Sequence, residues 1–153
     1  MRRALTADEV NRFLVASPEE CRLLFEMALA TGLRANELRC LHVRHVDAEF
    51  NGLRLEAGWT KGRKAVFQPL HPVLIKKLVD YSIGKEPTDP LLNVPRNTAG
   101  LVYKALAAAG IPKTTAEGKV DFHALRTAYT TFVFESFMFF LGSLADTARR
   151  SML

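Results

Sequence analysis

Three short stretches of the chain carry residue types suited to an anionic oxygen. The first is Thr31-Gly32-Leu33-Arg34-Ala35-Asn36-Glu37-Leu38. Its arginine follows a helix-ending glycine and stands at the mouth of the next helix, where backbone amides also point outward. The second is Trp59-Thr60-Lys61-Gly62-Arg63-Lys64, three cations around a glycine that reads as a hairpin tip. The third is Val120-Asp121-Phe122-His123-Ala124-Leu125-Arg126. Three-residue spacing puts His123 and Arg126 on one helix face. Taken singly, each has a plainer reading. Arg34 could be a surface ion-pair partner of Glu37, His123 a helix cap or core histidine, and Lys61 an ordinary hairpin lysine.

The elements that must position these stretches are readable from periodicity and capping. Thr6-Ala7-Asp8-Glu9 forms a capping box ahead of Val10, Phe13 and Leu14 at helical spacing. Ser17-Pro18-Glu19-Glu20 reads as a second box, opening a helix whose buried stripe is Leu23, Leu24, Met27, Ala28 and Ala30. Gly32 is its stop. A short helix is expected from near Ala35 to Leu41. Alternation at Leu53, Leu55 and Ala57 predicts a strand, and Ala65 to Leu70 the strand returning from the hairpin, ended by Pro69. His71-Pro72 opens a helix with Leu74, Ile75, Leu78 and Val79 apolar. Residues 82–95 read as loop, Thr98 to Ala109 as a helix closed by Gly110, and Lys113 to Lys119 as a polar loop. A last helix is expected from about His123 to Leu141. The fold class is therefore α+β, mainly helical, with one small antiparallel sheet. There is no GxxxxGK[ST] and no GxGxxG.

Composition narrows the function classes. The 153 residues make one domain's worth of chain, 48% hydrophobic and 24% charged, which excludes collagen-like and disordered readings. Cys21 and Cys40 are too few for a disulfide framework and read as reduced thiols in a cytoplasmic protein. Neither a signal peptide nor an 18-residue apolar run is found, so no membrane association is expected. The net charge is +5. From Ala57 to Val79 there is no acid, while Lys61, Arg63, Lys64, Lys76 and Lys77 fall inside. Such a strip suits contact with a phosphate backbone, or reads as a solvated lysine-rich face. Cys40, His42 and His45 are close in sequence but lack a fourth ligand at usable spacing, so neither metal nor cofactor is expected.

In this order and on this scaffold, the three stretches resemble the catalytic domain of the tyrosine recombinase (phage integrase) family. The matching segments are Ala30-Thr31-Gly32-Leu33-Arg34 with Glu37-Leu38, the hairpin Thr60 to Lys64 followed by Val66 to Leu70, and His123-Ala124-Leu125-Arg126. Leu5 to Val10 resembles the start of that domain, and the resemblance covers roughly residues 2 to 131. It implies metal-free DNA strand breaking and rejoining on double-stranded DNA, in integration or other site-specific recombination. Arg34 and Arg126 would clamp the phosphate oxygens, and Lys61 would protonate the leaving 5′-oxygen. His123 would assist proton transfer or hydrogen-bond the phosphate. Glu37 would orient the first stretch, with Arg63 and Lys64 on the DNA and Lys64 the fallback for Lys61.

The sequence also departs from the family. Leu141-Gly142 is followed by Ser143 where the family has histidine, and no tyrosine follows in register. The tyrosines are Tyr81, Tyr103 and Tyr129. The separate N-terminal core-binding domain has no counterpart either. The expectation is therefore a single, C-terminally truncated catalytic domain spanning 1–153, inactive alone. It would be a relic, a frameshifted fragment, or a subunit using a partner recombinase's tyrosine. The alternative is a non-catalytic DNA-binding module or interaction protein derived from the same fold. Phe132, Phe134, Phe137, Met138, Phe139 and Phe140 are too many for one helix face. They read as a helix buried on several sides, as shifted-frame sequence, or as a self-association patch.

Overall fold

The structure is a computed structural model that describes residues 2–58 and 64–131, with side chains to residue 126. Its elements follow the expected order. They are α1 (Ala7–Ala16), α2 (Glu19–Thr31), α3 (Ala35–Arg39), a 3-10 turn (Val43–His45), β1 (Val46–Asp47), β2 (Gly52–Leu55), β3 (Val66–Pro69), α4 (Pro72–Tyr81), α5 (Thr98–Ala109), β4 (Thr114–Thr115), β5 (Gly118–Lys119) and α6 (Phe122–Thr131). Among the described residues, no helix is long and apolar enough to cross a membrane. The chain divides into two compact units.

Unit 1 holds α1, α2, α3, α5, the β4–β5 hairpin and α6. The capping box of α1 is present: the Glu9 amide donates to Thr6 Oγ1 (3.2 Å) and the Thr6 amide to Glu9 Oε1 (3.0 Å). Arg3 grips the same Glu9 carboxylate with two guanidinium nitrogens, at 2.9 and 3.0 Å. The second box does not form. Ser17 closes α1 instead: its amide and its hydroxyl (2.6 Å) both donate to the Phe13 carbonyl, so Pro18 caps α2 without a side-chain bond. Nor does α2 bury only a stripe. Every residue from Leu24 to Thr31 is buried, Glu26 included, while Leu23 is half-buried. This helix is the core of the unit, and both α3 and α6 pack on it. The expected polar loop at 113–119 is a two-stranded hairpin pairing Thr114 with Lys119 and Thr115 with Gly118. Two-residue strands are too short to leave an alternation signal.

Unit 2, over its described residues Cys40–Leu91, holds the 3-10 turn, β1–β3 and α4. The expected hairpin is extended by β1 into a three-stranded antiparallel sheet in the order β1-β2-β3. Leu53 pairs with Val46 on one side and Gln68 on the other. Gly52 is required by close packing, because a Cβ there would meet the Phe67 ring. His71 caps α4 through Nδ1, which accepts from the Val73 amide (3.1 Å). Leu74, Ile75 and Leu78 are buried as expected, but Val79 is exposed. His42 and His45 do structural work in this unit. His45 is buried, its Nδ1 accepts from the His42 amide (2.9 Å), and its Nε2 meets Glu56 Oε1 (3.0 Å). That histidine and Arg44 together hold the Glu56 carboxyl below the usual glutamate range.

Candidate functional site: an arginine-lined pocket

Leu33, Arg34, Ala35, Thr98, Ala99, Asp121, Phe122, His123 and Arg126 line one pocket of ≈ 270 Å³ in unit 1. Three separate chain segments meet there: the α2–α3 turn, the start of α5 and the start of α6.

The turn is fixed by its own backbone. Gly32 takes the left-handed conformation (φ 68°), which an L side chain disfavours, and its amide donates to Ala28. Thr31 Oγ1 donates to the Met27 carbonyl (2.6 Å) and accepts from the Leu33 amide (3.1 Å). The chain is thereby bent sharply out of α2. Glu37 then reaches back to the Arg34 amide (2.9 Å), while the Leu38 amide donates to the Arg34 carbonyl (2.9 Å). These are the bonds of a helix start, with Arg34 as its cap residue. The carboxylate of Glu37 is spent mainly on backbone, and its approach to the Arg34 guanidinium is a loose 3.8 Å. Glu37 thus orients the stretch, and the Arg34 head group is half-exposed at the pocket.

Arg126 and His123 come from the first turns of α6, whose Ala124 and Leu125 are buried as α6 packs on α2. Asp121 caps this helix: Oδ1 accepts from the Ala124 amide (3.1 Å) and Oδ2 from Arg2 Nε (2.9 Å). Burial works against the ionised Asp121. The Arg2 bond, the Ala124 amide and the charges of Arg2 and His123 outweigh it, so its carboxyl titrates below the ordinary aspartate range. The α5 wall begins at Asn97, whose Oδ1 accepts from the Gly100 amide (2.9 Å). Reasoning from the sequence overlooked Asp121, Thr98 and Ala99 as lining. The usable signal was an aspartate immediately before the His-x-x-Arg helix and an asparagine cap before Thr98.

Arg34, His123 and Arg126, singled out in the sequence, are thus brought to one pocket. Lys61 and Arg63 lie outside the described residues, as does the phenylalanine-rich stretch 132–140. Lys64 is described, exposed, and belongs to unit 2. Tyr81 lies in α4 of unit 2; Tyr103 lies half-buried in α5 of unit 1. No tyrosine is among the described residues that line the pocket. An opening with two guanidiniums and an imidazole can bind an oxyanion by charge-assisted, bidentate hydrogen bonds.

The chain's architecture is similar to that of a solved structure, the "Crystal structure of XerA recombinase", with a TM-score of 0.67 at 24% identity. The match covers 86% of this chain and 49% of that one, so the chain spans about half the length of this relative. No curated protein matches the chain. The family model described as "Phage integrase family" matches residues 3–137. The match takes in all three stretches that carry the cationic and imidazole groups, and the chain belongs to the phage integrase family.

Proposed function

We propose that the unit 1 pocket binds a backbone phosphate of double-stranded DNA, and that the chain serves DNA strand breaking and rejoining in site-specific recombination. The observation that carries this reading is the convergence of Arg34, His123 and Arg126, distant in sequence, on one opening. Metal-independent phosphoryl transfer needs cations where charge builds on the non-bridging oxygens, and two planar guanidiniums supply it. In the proposed step a tyrosine hydroxyl attacks phosphorus. The bond from phosphorus to the tyrosine oxygen forms as the bond to the 5′-oxygen breaks. Lys61 donates a proton to that leaving oxygen, and His123 takes the hydroxyl proton or hydrogen-bonds the phosphate. Arg63 and Lys64 contact the DNA backbone.

In one form of this reading a second subunit donates the tyrosine. Alone, the chain would then act as a DNA-binding module carrying a phosphate centre. The test is incubation with a nicked suicide duplex, with and without a complete recombinase of the same family whose own Arg34 and Arg126 equivalents are disabled. A covalent protein–DNA adduct only in the mixture supports donation in trans. An adduct with the chain alone overturns it. Arg34→Ala and Arg126→Ala are each expected to weaken duplex binding, and unchanged affinity in both at low salt would refute the phosphate pocket.

A further inference from the structure

Beside the pocket, unit 1 gathers a second group of cations. The β4–β5 hairpin is flanked by lysines, with the Val120 amide donating to the Lys113 carbonyl (2.8 Å) across its base. The N-terminal segment adds to its open edge: Arg2 bridges to Lys119, and the Arg3 amide donates to the Lys119 carbonyl (3.1 Å). Arg2, Lys113 and Lys119 are all exposed. Two of them share one aromatic ring. Lys113 Nζ lies 4.7 Å and Lys119 Nζ 5.8 Å from the centre of Tyr103.

We propose that Lys113 and Lys119, mounted on the Tyr103 ring, form a second backbone-phosphate contact for the DNA strand that enters the Arg34–His123–Arg126 pocket. The inference rests on the DNA reading above and extends it to a site outside the pocket.

Three observations carry it. First, the arrangement concentrates like charge. Arg2 is ion-paired with Asp121 (2.9 Å), and the Glu117 carboxylate in the hairpin turn acts on Arg3, which already binds Glu9. Lys113 and Lys119 thus place two like charges on one ring, where clustered cations repel, and the Asp121 charge also reaches Lys119. Second, the lysines are oriented in advance. A cation over an aromatic face keeps its outward N–H groups available while losing part of its side-chain freedom before any ligand arrives. Third, the cluster continues into the pocket. Asp121, which binds Arg2, lines that pocket, and Lys119 precedes it by two residues. Along one DNA strand a phosphate recurs every ~3.4 Å of helix rise, so a strand held at the pocket necessarily presents further phosphates beside it. A merely solvated hairpin face would leave DNA affinity indifferent to these lysines.

The experiment measures binding of the full chain to a fluorescent duplex of arbitrary sequence across a salt series. It compares the wild type, Lys113→Gln/Lys119→Gln, and Arg34→Ala/Arg126→Ala. Each lost phosphate contact lowers the log–log salt slope by about 0.9, so the lysine pair is expected to lower it by about 2. Affinity near physiological salt should fall by roughly tenfold or more, equally on unrelated sequences, because phosphate contacts carry no sequence information. Both lysines are exposed, so the melting temperature should not move. Tyr103→Leu, which removes the ring and keeps the lysines, should weaken binding with little change in slope. If the arginine pair lowers the slope and the lysine pair leaves it unchanged, the second contact is refuted and the DNA reading stands. If the wild-type chain shows no salt-dependent duplex binding, the DNA reading fails and this inference with it.

Discussion

The two units use their cations differently. In unit 2 the described arginines serve the sheet. Arg44 is ion-paired with Glu56, and Arg54 lies 2.6 Å from Asp47 with its guanidinium over the Phe50 and Phe67 rings. On α4, Lys76 is paired with Asp80 at 3.0 Å. In unit 1 the arginines of the pocket are carried on the ends of helices packed against the buried α2, and Arg34 keeps only a loose 3.8 Å approach to a carboxylate. The acid-free strip from Ala57 to Val79 holds the greater density of positive charge in the sequence, yet the pocket that gathers Arg34, His123 and Arg126 is built elsewhere. Charge density along a chain therefore locates solvated surface as readily as a site. What distinguishes the unit 1 pocket is convergence of cations from separate chain segments on rigid supports.

The strongest way to break this contrast is to remove the support. Phe25 is fully buried in α2 and packs against Phe13, the ring centres 4.7 Å apart and the planes tilted by 50°. Phe25→Ala should cost about 3–5 kcal/mol in denaturant unfolding and abolish duplex binding under mildly destabilising conditions. Leu53→Ala in the sheet of unit 2 should cost about 2–5 kcal/mol. Equal loss of phosphate-centre function per unit of stability lost from either substitution would remove the special standing of α2.

The next test separates geometry from charge at the pocket. Arg126→Lys keeps the cation and loses the planar fork, so charge-assisted hydrogen bonds worth about 1.5–3 kcal/mol are at stake. Duplex affinity should fall at least tenfold with the salt slope nearly unchanged. An Arg126→Lys protein that binds as tightly as wild type would show that the pocket acts only as a diffuse positive field.

A pH series sharpens the view of unit 1 as the rigid partner. The Arg3 hydrogen bonds hold the Glu9 carboxyl below its ordinary range, against a smaller opposing effect of burial. A carboxyl depressed in the folded state contributes stability that is present above its unfolded value, about 4.3. That contribution is lost as pH falls through the depressed folded value. Wild type should therefore lose more melting temperature than Glu9→Gln between neutral pH and pH 3. At neutral pH the substitution itself should cost about 1–2 kcal/mol, since the pair is largely shielded from water. Parallel melting curves in the two proteins would remove Glu9 as a determinant.

The legible parts of the molecule are those where local chemistry and global fold agree. The Thr6–Glu9 box, the Gly32 and Gly110 stops and the His71-Pro72 helix start were readable because each satisfies its own backbone within a few residues. Arg34, His123 and Arg126 were readable as candidates because their spacing from helix ends is local too. Their meeting was not derivable from periodicity, since it depends on α6 and the α2–α3 turn both resting on α2, a tertiary fact. Ser17 misled because a serine before proline serves equally to close one helix or open the next. Asp121 escaped notice as pocket lining: its cap on the Ala124 amide is a local signal, but its bond to Arg2 spans a separation that no window sees.

The smallest expected effect bears most directly on the contrast between the units. Arg54 is exposed and cationic, stands on a sheet face with two aromatic rings, and by composition alone looks as suited to DNA as Arg34. Its charge, however, is already met by Asp47, whose carboxyl is held below the usual aspartate range by the Phe50 amide and by Arg54 itself. A guanidinium so neutralised displaces few counterions when a phosphate approaches, because the local field that would attract the phosphate is already cancelled. Arg54→Ala should therefore leave the salt slope of duplex binding within about 0.3 of wild type, against about 0.9 for each cation engaged on a phosphate. It should lower the melting temperature only slightly, since exposed pairs contribute little. A slope change as large as that of Arg34→Ala would mean that aromatic flanking outweighs close pairing with a carboxylate in marking the cations this fold presents to DNA.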